Sequence, residues 1–132
     1  MSDKKRLLFV CVENSCRSQM AEALARMEGG DDVIAFSAGS EASGVVNPRA
    51  IEVMRELGYD LGRHASKRPE DVPVVSYDVV VSMGCGDKCP AVPAATRLDW
   101  DIPDPKAMPL EEFRVVRDDL RRQVKALLDS IR

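Results

Sequence analysis

Three short stretches of this chain hold the residue types that covalent chemistry needs. CVENSCRS, residues 11–18, packs two cysteines, an asparagine, an arginine and two serines into eight positions. GCGDKCP, residues 84–90, holds the remaining cysteines, Cys85 and Cys89. DIPDP, residues 101–105, places Asp104 directly before a proline. The first stretch has the makings of an oxyanion cradle. A loop entering a helix presents backbone N–H groups and the positive end of the helix dipole, and successive N–H groups curled into a nest bind a tetrahedral anion. Arg17 adds a bidentate fork. The same field favours the thiolate of Cys11, the nucleophilic form, and a hydrogen bond from Ser18 stabilises it further. Asn14 is placed to brace the loop from within. The oxyanion set is therefore Glu13, Asn14, Ser15, Cys16, Arg17 and Ser18, around the nucleophile Cys11. A plain strand-end cysteine followed by a helix cap explains Cys11 alone, but not Arg17 and Ser18 after it.

Cys85 and Cys89 admit several readings. Two structural disulfides would suit a secreted chain, whereas cytosolic thiols stay reduced and turn to metal or redox work. Zinc fits poorly, because the two pairs are spaced Cys-x4-Cys and Cys-x3-Cys on separate loops and His64 is the only histidine. Two buried small apolar residues are a further reading, and the charged, glycine-rich setting argues against it. Helical i,i+4 cysteines lie too far apart for a disulfide, so joining them requires local unwinding, which Gly84 and Gly86 ease. The pair reads as a mobile redox relay. Asp104, if it stands at the mouth of the anion site, is placed to protonate a departing oxygen; a turn aspartate before proline is the plainer reading. Asp99 and Asp101 are weaker acids for that role.

The elements around these stretches follow from pattern. RLLFVC (6–11), VIAFSAG (33–39), DVVVSM (78–83) and TRLDW (96–100) read as strands. Met20, Ala23, Leu24 and Met27 mark a helix ending at Gly29-Gly30. Asn47 and Pro48 open a second helix with Ile51, Met54 and Leu57 on its apolar face. A third begins near Pro109 and aligns Phe113, Val116, Leu120, Val124, Leu127 and Ile131, its charged residues forming a solvated surface. Residues 59–77 show no clear period, apart from a short helical turn at RPEDV. Strands alternating with helices imply an α/β three-layer sandwich on a four-stranded parallel sheet. Ligands of such sheets bind beyond the carboxyl ends of the strands, so all three chemical stretches should meet on one rim.

Bulk properties narrow the class. The 132 residues suit one domain, 1–132. A net charge of −3 argues against a general nucleic-acid binder. The apolar stretch of residues 7–12 is too short for a signal sequence or a membrane span. A cytoplasmic protein without membrane attachment is expected.

FVCVENSCRSQMAEAL resembles the active-site segment of arsenate reductases built on the low-molecular-weight protein tyrosine phosphatase fold. The phosphatases share the Cys-x5-Arg-Ser loop, its asparagine and the Asp-Pro; RSQMAEA is more similar to the reductases. SAGSEASGVVNPRAIEVMRELGYDLGRHASKRPEDV also follows the reductase pattern, so the resemblance covers nearly the whole chain. It implies arsenate as substrate, phosphate or sulfate as competing oxyanions, and arsenite as product. Cys11 attacks arsenic with Asp104 as acid, Cys85 attacks Cys11, Cys89 attacks Cys85, and thioredoxin reduces the Cys85–Cys89 disulfide. The catalytic set on this reading is Cys11, Arg17, Ser18, Cys85, Cys89 and Asp104. It implies no cofactor, no metal and a monomer.

The chain departs from that pattern in three places. Glu13 stands where the family usually has glycine. A glutamate tolerates φ > 0 poorly, so either the loop is shifted or that position does not need φ > 0. An acid there should also weaken anion affinity unless it points outward. The relay spacing of three residues is shorter than in the thioredoxin-coupled members. Short GCGD-x-CP loops also occur in relatives linked to mycothiol, which usually lack the second loop cysteine. Its retention as Cys16, read either as a structural residue or as a protective or damaging bridge partner of Cys11, favours thioredoxin. Finally, some members bind potassium beneath the loop at positions matching Asn14, Glu22 and Ser37, with a threonine and an aspartate near His64. This chain has Ala65 and Lys67 there, so no potassium site is expected. Lys67 is then either the cation's replacement, paired with Glu22, or a solvated surface lysine. The rival from another class is a phosphatase of phosphotyrosine or small phosphate esters. Such enzymes often ring the mouth with aromatics, and only 5% of this chain is aromatic. A non-catalytic oxyanion or redox sensor is the third reading.

Overall fold

A computed structural model describes residues 4–73, 75–84 and 92–131. Strand β1 (Lys5–Cys11) runs into helix α1 (Arg17–Gly29), followed by β2 (Val33–Gly39), α2 (Pro48–Arg55), β3 (Tyr77–Ser82), β4 (Ala94–Asp99) and α3 (Leu110–Ile131). The four strands form one parallel sheet in the order β2-β1-β3-β4. This is the α/β architecture with a four-stranded parallel sheet that the alternating pattern predicts.

Central β1 is buried on both faces, which explains its unbroken apolar run. Its period-2 alternation divides the core. Leu7, Phe9 and Cys11 pack in one cluster with α1 (Met20, Leu24), α2 (Ala50, Val53, Met54) and α3 (Phe113, Leu120, Val124). Leu8 and Val10 turn to a smaller cluster with Ala38, Tyr77, Val80 and Val72, the last just after the 3-10 turn Pro69–Asp71. Burying each Leu, Val, Met or Phe among them contributes about 1.5–3 kcal/mol, so these clusters hold the sheet rim in place. β4 lies at the sheet edge and is largely exposed.

The helix signals act as their chemistry requires. Asn47 Oδ1 accepts from Arg49 N at 2.8 Å, and Pro48 occupies the first turn of α2. One expectation needs correcting. Arg117 on α3 is buried rather than solvated, because its guanidinium donates to Val53 O at 3.0 Å and to Glu56 Oε1 at 2.7 Å and so ties α3 to α2. No helix among the described residues is long and apolar enough to cross a membrane.

Candidate active site

The carboxyl ends of the strands meet on one rim. Residues 12–16 leave β1 and curl into the N-terminus of α1, which no side chain caps. The segment after β2 runs alongside this loop. Ser40, Glu41, Ser43 and Asn47 donate their backbone N–H groups to the carbonyls of Cys11, Val12, Glu13 and Ser15 at 2.8–3.2 Å. A trans peptide turns its C=O and the next N–H in opposite directions. The N–H groups of Val12, Glu13, Asn14 and Cys16 therefore point away from that segment, as an anion nest requires. Gly39 makes the approach possible, since a Cβ there would stand 2.6 Å from Val12 O and 2.7 Å from Asn14 N.

Asn14 is the hub of the loop and is fully buried. Its φ of 49° makes it the one non-glycine residue with positive φ among the described residues. Asparagine tolerates this region better than most residues. Positive φ thus falls on Asn14 and not on Glu13, which resolves the apparent conflict of a glutamate at position 13. The Asn14 side chain has one possible orientation. Lys67 N, a donor only, reaches its Oδ1 at 2.7 Å, so Nδ2 faces Ser18 Oγ, also at 2.7 Å. Ser18 accepts that bond, and its hydroxyl lies 2.8 Å from Cys11 Sγ, within reach to donate to the thiolate form. A thiolate accepts such a bond.

Gln19 extends the network. Its Nε2 donates to Asn14 Oδ1 (2.7 Å) and Ala65 O (2.8 Å), and its Oε1 lies 2.9 Å from His64 Nδ1. Tyr59 Oη lies 2.6 Å from His64 Nε2. A neutral imidazole with the proton on Nδ1 satisfies both contacts, and burial holds the His64 pKa below its ordinary value. Beneath the loop, buried Glu22 accepts from Ser37 Oγ (2.5 Å) and pairs with Arg26 (2.7 Å) and Lys67 (3.4 Å). Lys67 thus stands beside Glu22, as one of its two readings expects. Among the described residues, no group of three or more potential ligands could hold a metal ion.

A cavity of about 190 Å³ opens above the loop, lined by Cys11, Val12, Glu13, Ser15, Cys16, Arg17, Asp104 and Lys106. Arg17 donates to Ile102 O at 3.0 Å, and its Nη2 lies 3.8 Å from Asp104 Oδ2. Gly84 passes directly against it, where a Cβ would stand 2.5 Å from Arg17 Nη1. Asp104 reaches this cavity, and Asp99 and Asp101 do not line it. Asp99 instead accepts from Ser82 Oγ at 2.9 Å. The two loop cysteines differ. Burial, and then the charge of Asp104, push the Cys16 thiol up to about 12, so it stays protonated. Cys11 has the Ser18 hydroxyl at its sulfur. Cys85 and Cys89 lie outside the described residues, so the relay reading rests on sequence. Gln19, Gly39 and Lys106 escaped the sequence reading, which weighs His64 only as a zinc ligand and as a landmark for the cation positions. Only Gln19, directly after the loop, carried a usable local signal.

The arrangement can hold a tetrahedral oxyanion against a thiol, with a carboxyl at the mouth. Known proteins resemble the chain over most of its length. The family model for low-molecular-weight phosphotyrosine protein phosphatase matches residues 6–132. An arsenate reductase of Staphylococcus epidermidis (strain RP62A) is 39% identical over 128 residues, covering 94% of this chain and 96% of its own. A solved arsenate reductase in its phosphate-binding state superposes with a TM-score of 0.88 at 40% identity, covering 97% of this chain and 99% of the other. A thioredoxin-dependent arsenate reductase of Corynebacterium glutamicum superposes with a TM-score of 0.78 at 30% identity, covering 98% of this chain and 63% of the other.

Proposed function

The chain belongs to the low-molecular-weight phosphotyrosine protein phosphatase family, and we propose that within it this protein reduces arsenate to arsenite at the expense of its own thiols. The observation that carries the reading is the Asn14–Ser18–Cys11 chain of hydrogen bonds at the floor of a cavity rimmed by Arg17 and Asp104. The arsenate reductases among its relatives support the choice of oxyanion. Arsenate sits in the nest of N–H groups from residues 13–18 and on the Arg17 fork. Cys11 attacks arsenic, an As–O bond breaks, and Asp104 protonates the departing oxygen.

The thiolate of Cys85 then attacks the sulfur of Cys11. The S–S bond forms, the S–As bond breaks, and its electron pair stays on arsenic, taking As(V) to As(III) as two thiols become one disulfide. Cys89 attacks Cys85 and frees Cys11, and the thiol pair of thioredoxin reduces Cys85–Cys89. Two points favour the relay. Cys85 directly follows Gly84, which lies against Arg17, and a neighbour of the same fold is thioredoxin-dependent. The reaction suits the cytoplasm, where thiols are kept reduced.

The test is NADPH consumption in the presence of thioredoxin and its reductase, with and without arsenate. Arsenate-dependent consumption is expected, and Cys85→Ser should stall within the first turnover, with arsenic still on Cys11 and no Cys11–Cys85 disulfide. Aryl phosphate hydrolysis without any arsenate-dependent turnover would assign the same cradle to a phosphatase. Sustained turnover by Cys85→Ser would sink the relay.

A further inference from the structure

Glu13 and Lys106 are 93 residues apart in sequence and meet across the cavity mouth. Lys106 Nζ donates to both carboxylate oxygens of Glu13, each at 2.9 Å. The same lysine's backbone N–H donates to Asp104 Oδ1 at 3.0 Å. Asp104 Oδ2 in turn faces Arg17 Nη2 at 3.8 Å. One residue therefore holds the acid with its main chain and grips the anion loop with its side chain. The carboxylate of Glu13, spent on Lys106, presents a neutralised pair to an incoming anion instead of a bare negative charge.

We infer that the Glu13–Lys106 ion pair is a clasp that positions the Asp104 segment over the anion loop, with Glu13 and Lys106 as positioning residues for the proton transfer. The inference rests on the proposed arsenate chemistry only for the reaction in which it is read. Both side chains are partly exposed, at 36% and 56%, and such pairs are individually weak. The effect on rate is therefore a graded one, about two- to fivefold. Its sign separates it from the alternative. If Glu13 merely repels the substrate, removing its charge tightens arsenate binding and leaves the chemical step alone. If it clasps, removing it slows the chemical step.

The experiment compares wild type, Glu13→Gln, Lys106→Gln, the double variant and Lys106→Arg by two readouts. The first is amide hydrogen exchange at Lys106, which needs no assumed activity. The second is single-turnover thiol loss, giving the rate at saturating arsenate and the arsenate concentration for half that rate. Both Gln variants should exchange the Lys106 amide about two- to fivefold faster and lose rate by a similar factor. The double variant should be no worse than either, and Lys106→Arg should recover most of the rate. Unchanged exchange in Glu13→Gln, multiplicative losses, or tighter arsenate use at an unchanged saturating rate would each overturn the clasp. A wild-type chain that loses no thiol to arsenate overturns the functional reading instead, and exchange still decides the clasp.

Discussion

The floor of the anion loop and its rim are built on opposite principles. The floor, running from Asn14 through Ser18, Gln19 and His64 to Tyr59, is a network buried at its inner end and half-buried at His64 and Tyr59, whose members fix one another's orientation. The rim, Glu13, Asp104 and Lys106, is a set of charges in contact with solvent. Buried polar networks are strong when complete and costly when one member is lost. Exposed charges contribute little to stability and act on what approaches them. Floor changes should therefore damage fold and chemistry together, and rim changes chemistry alone.

The largest effect should come from the rim. Asp104→Asn keeps the shape and removes the proposed acid, so the single-turnover rate should fall about 10²- to 10³-fold. The urea midpoint should stay at the wild-type value, and a large drop would erase the distinction between the two regions. Asn14→Ala strikes the floor, stranding Lys67 N and leaving Ser18 without its donor. It should cost about 2–4 kcal/mol of stability together with at least tenfold in rate. Loss of rate at full stability would show that the hub orients Ser18 without supporting the loop.

Cys16 sharpens the contrast within the loop itself. With its thiol pushed up to about 12, alkylation at pH 8 mapped by mass spectrometry should leave Cys16 unmodified. Appreciable labelling there would contradict the assignment. His64 gives a smaller, pH-dependent effect. Its folded pKa lies below the ordinary 6.5, chiefly through burial. As pH falls below 6.5 the unfolded chain takes up the proton first, so stability falls until the folded value is passed. Urea midpoints should drop between pH 7.5 and 5.5, and His64→Gln should lose that part of the slope. The smallest effect is none: replacing sodium by potassium at constant ionic strength should leave turnover unchanged, because the Lys67 ammonium already stands beside Glu22.

What was legible in the sequence follows the range of the interactions. Cys11, Arg17 and Ser18 were legible because one loop and one helix start hold all three. Central β1 was legible because burial on both faces leaves an apolar run. Glu13–Lys106 was not, since nothing local couples residues 93 apart. Gly39 was hidden as well, because its need is another strand's loop lying against it. His64 sits in the aperiodic stretch of residues 59–77, where side-chain bonds rather than hydrophobic spacing set the path. Arg117 reads as one more charge on a polar helix face until α2 is seen to supply its acceptors.

The placement of positive φ on Asn14 has a consequence for how such a loop can be altered. Position 13 carries no backbone requirement for glycine, and its side chain points to the mouth, so it is an adjustable site beside a fixed one. A protein engineer could exchange residues 13 and 106 as a pair to retune what the mouth admits. The hub that holds Ser18 against Cys11 would be untouched. In a loop this short, tolerance and constraint are separated by a single peptide bond.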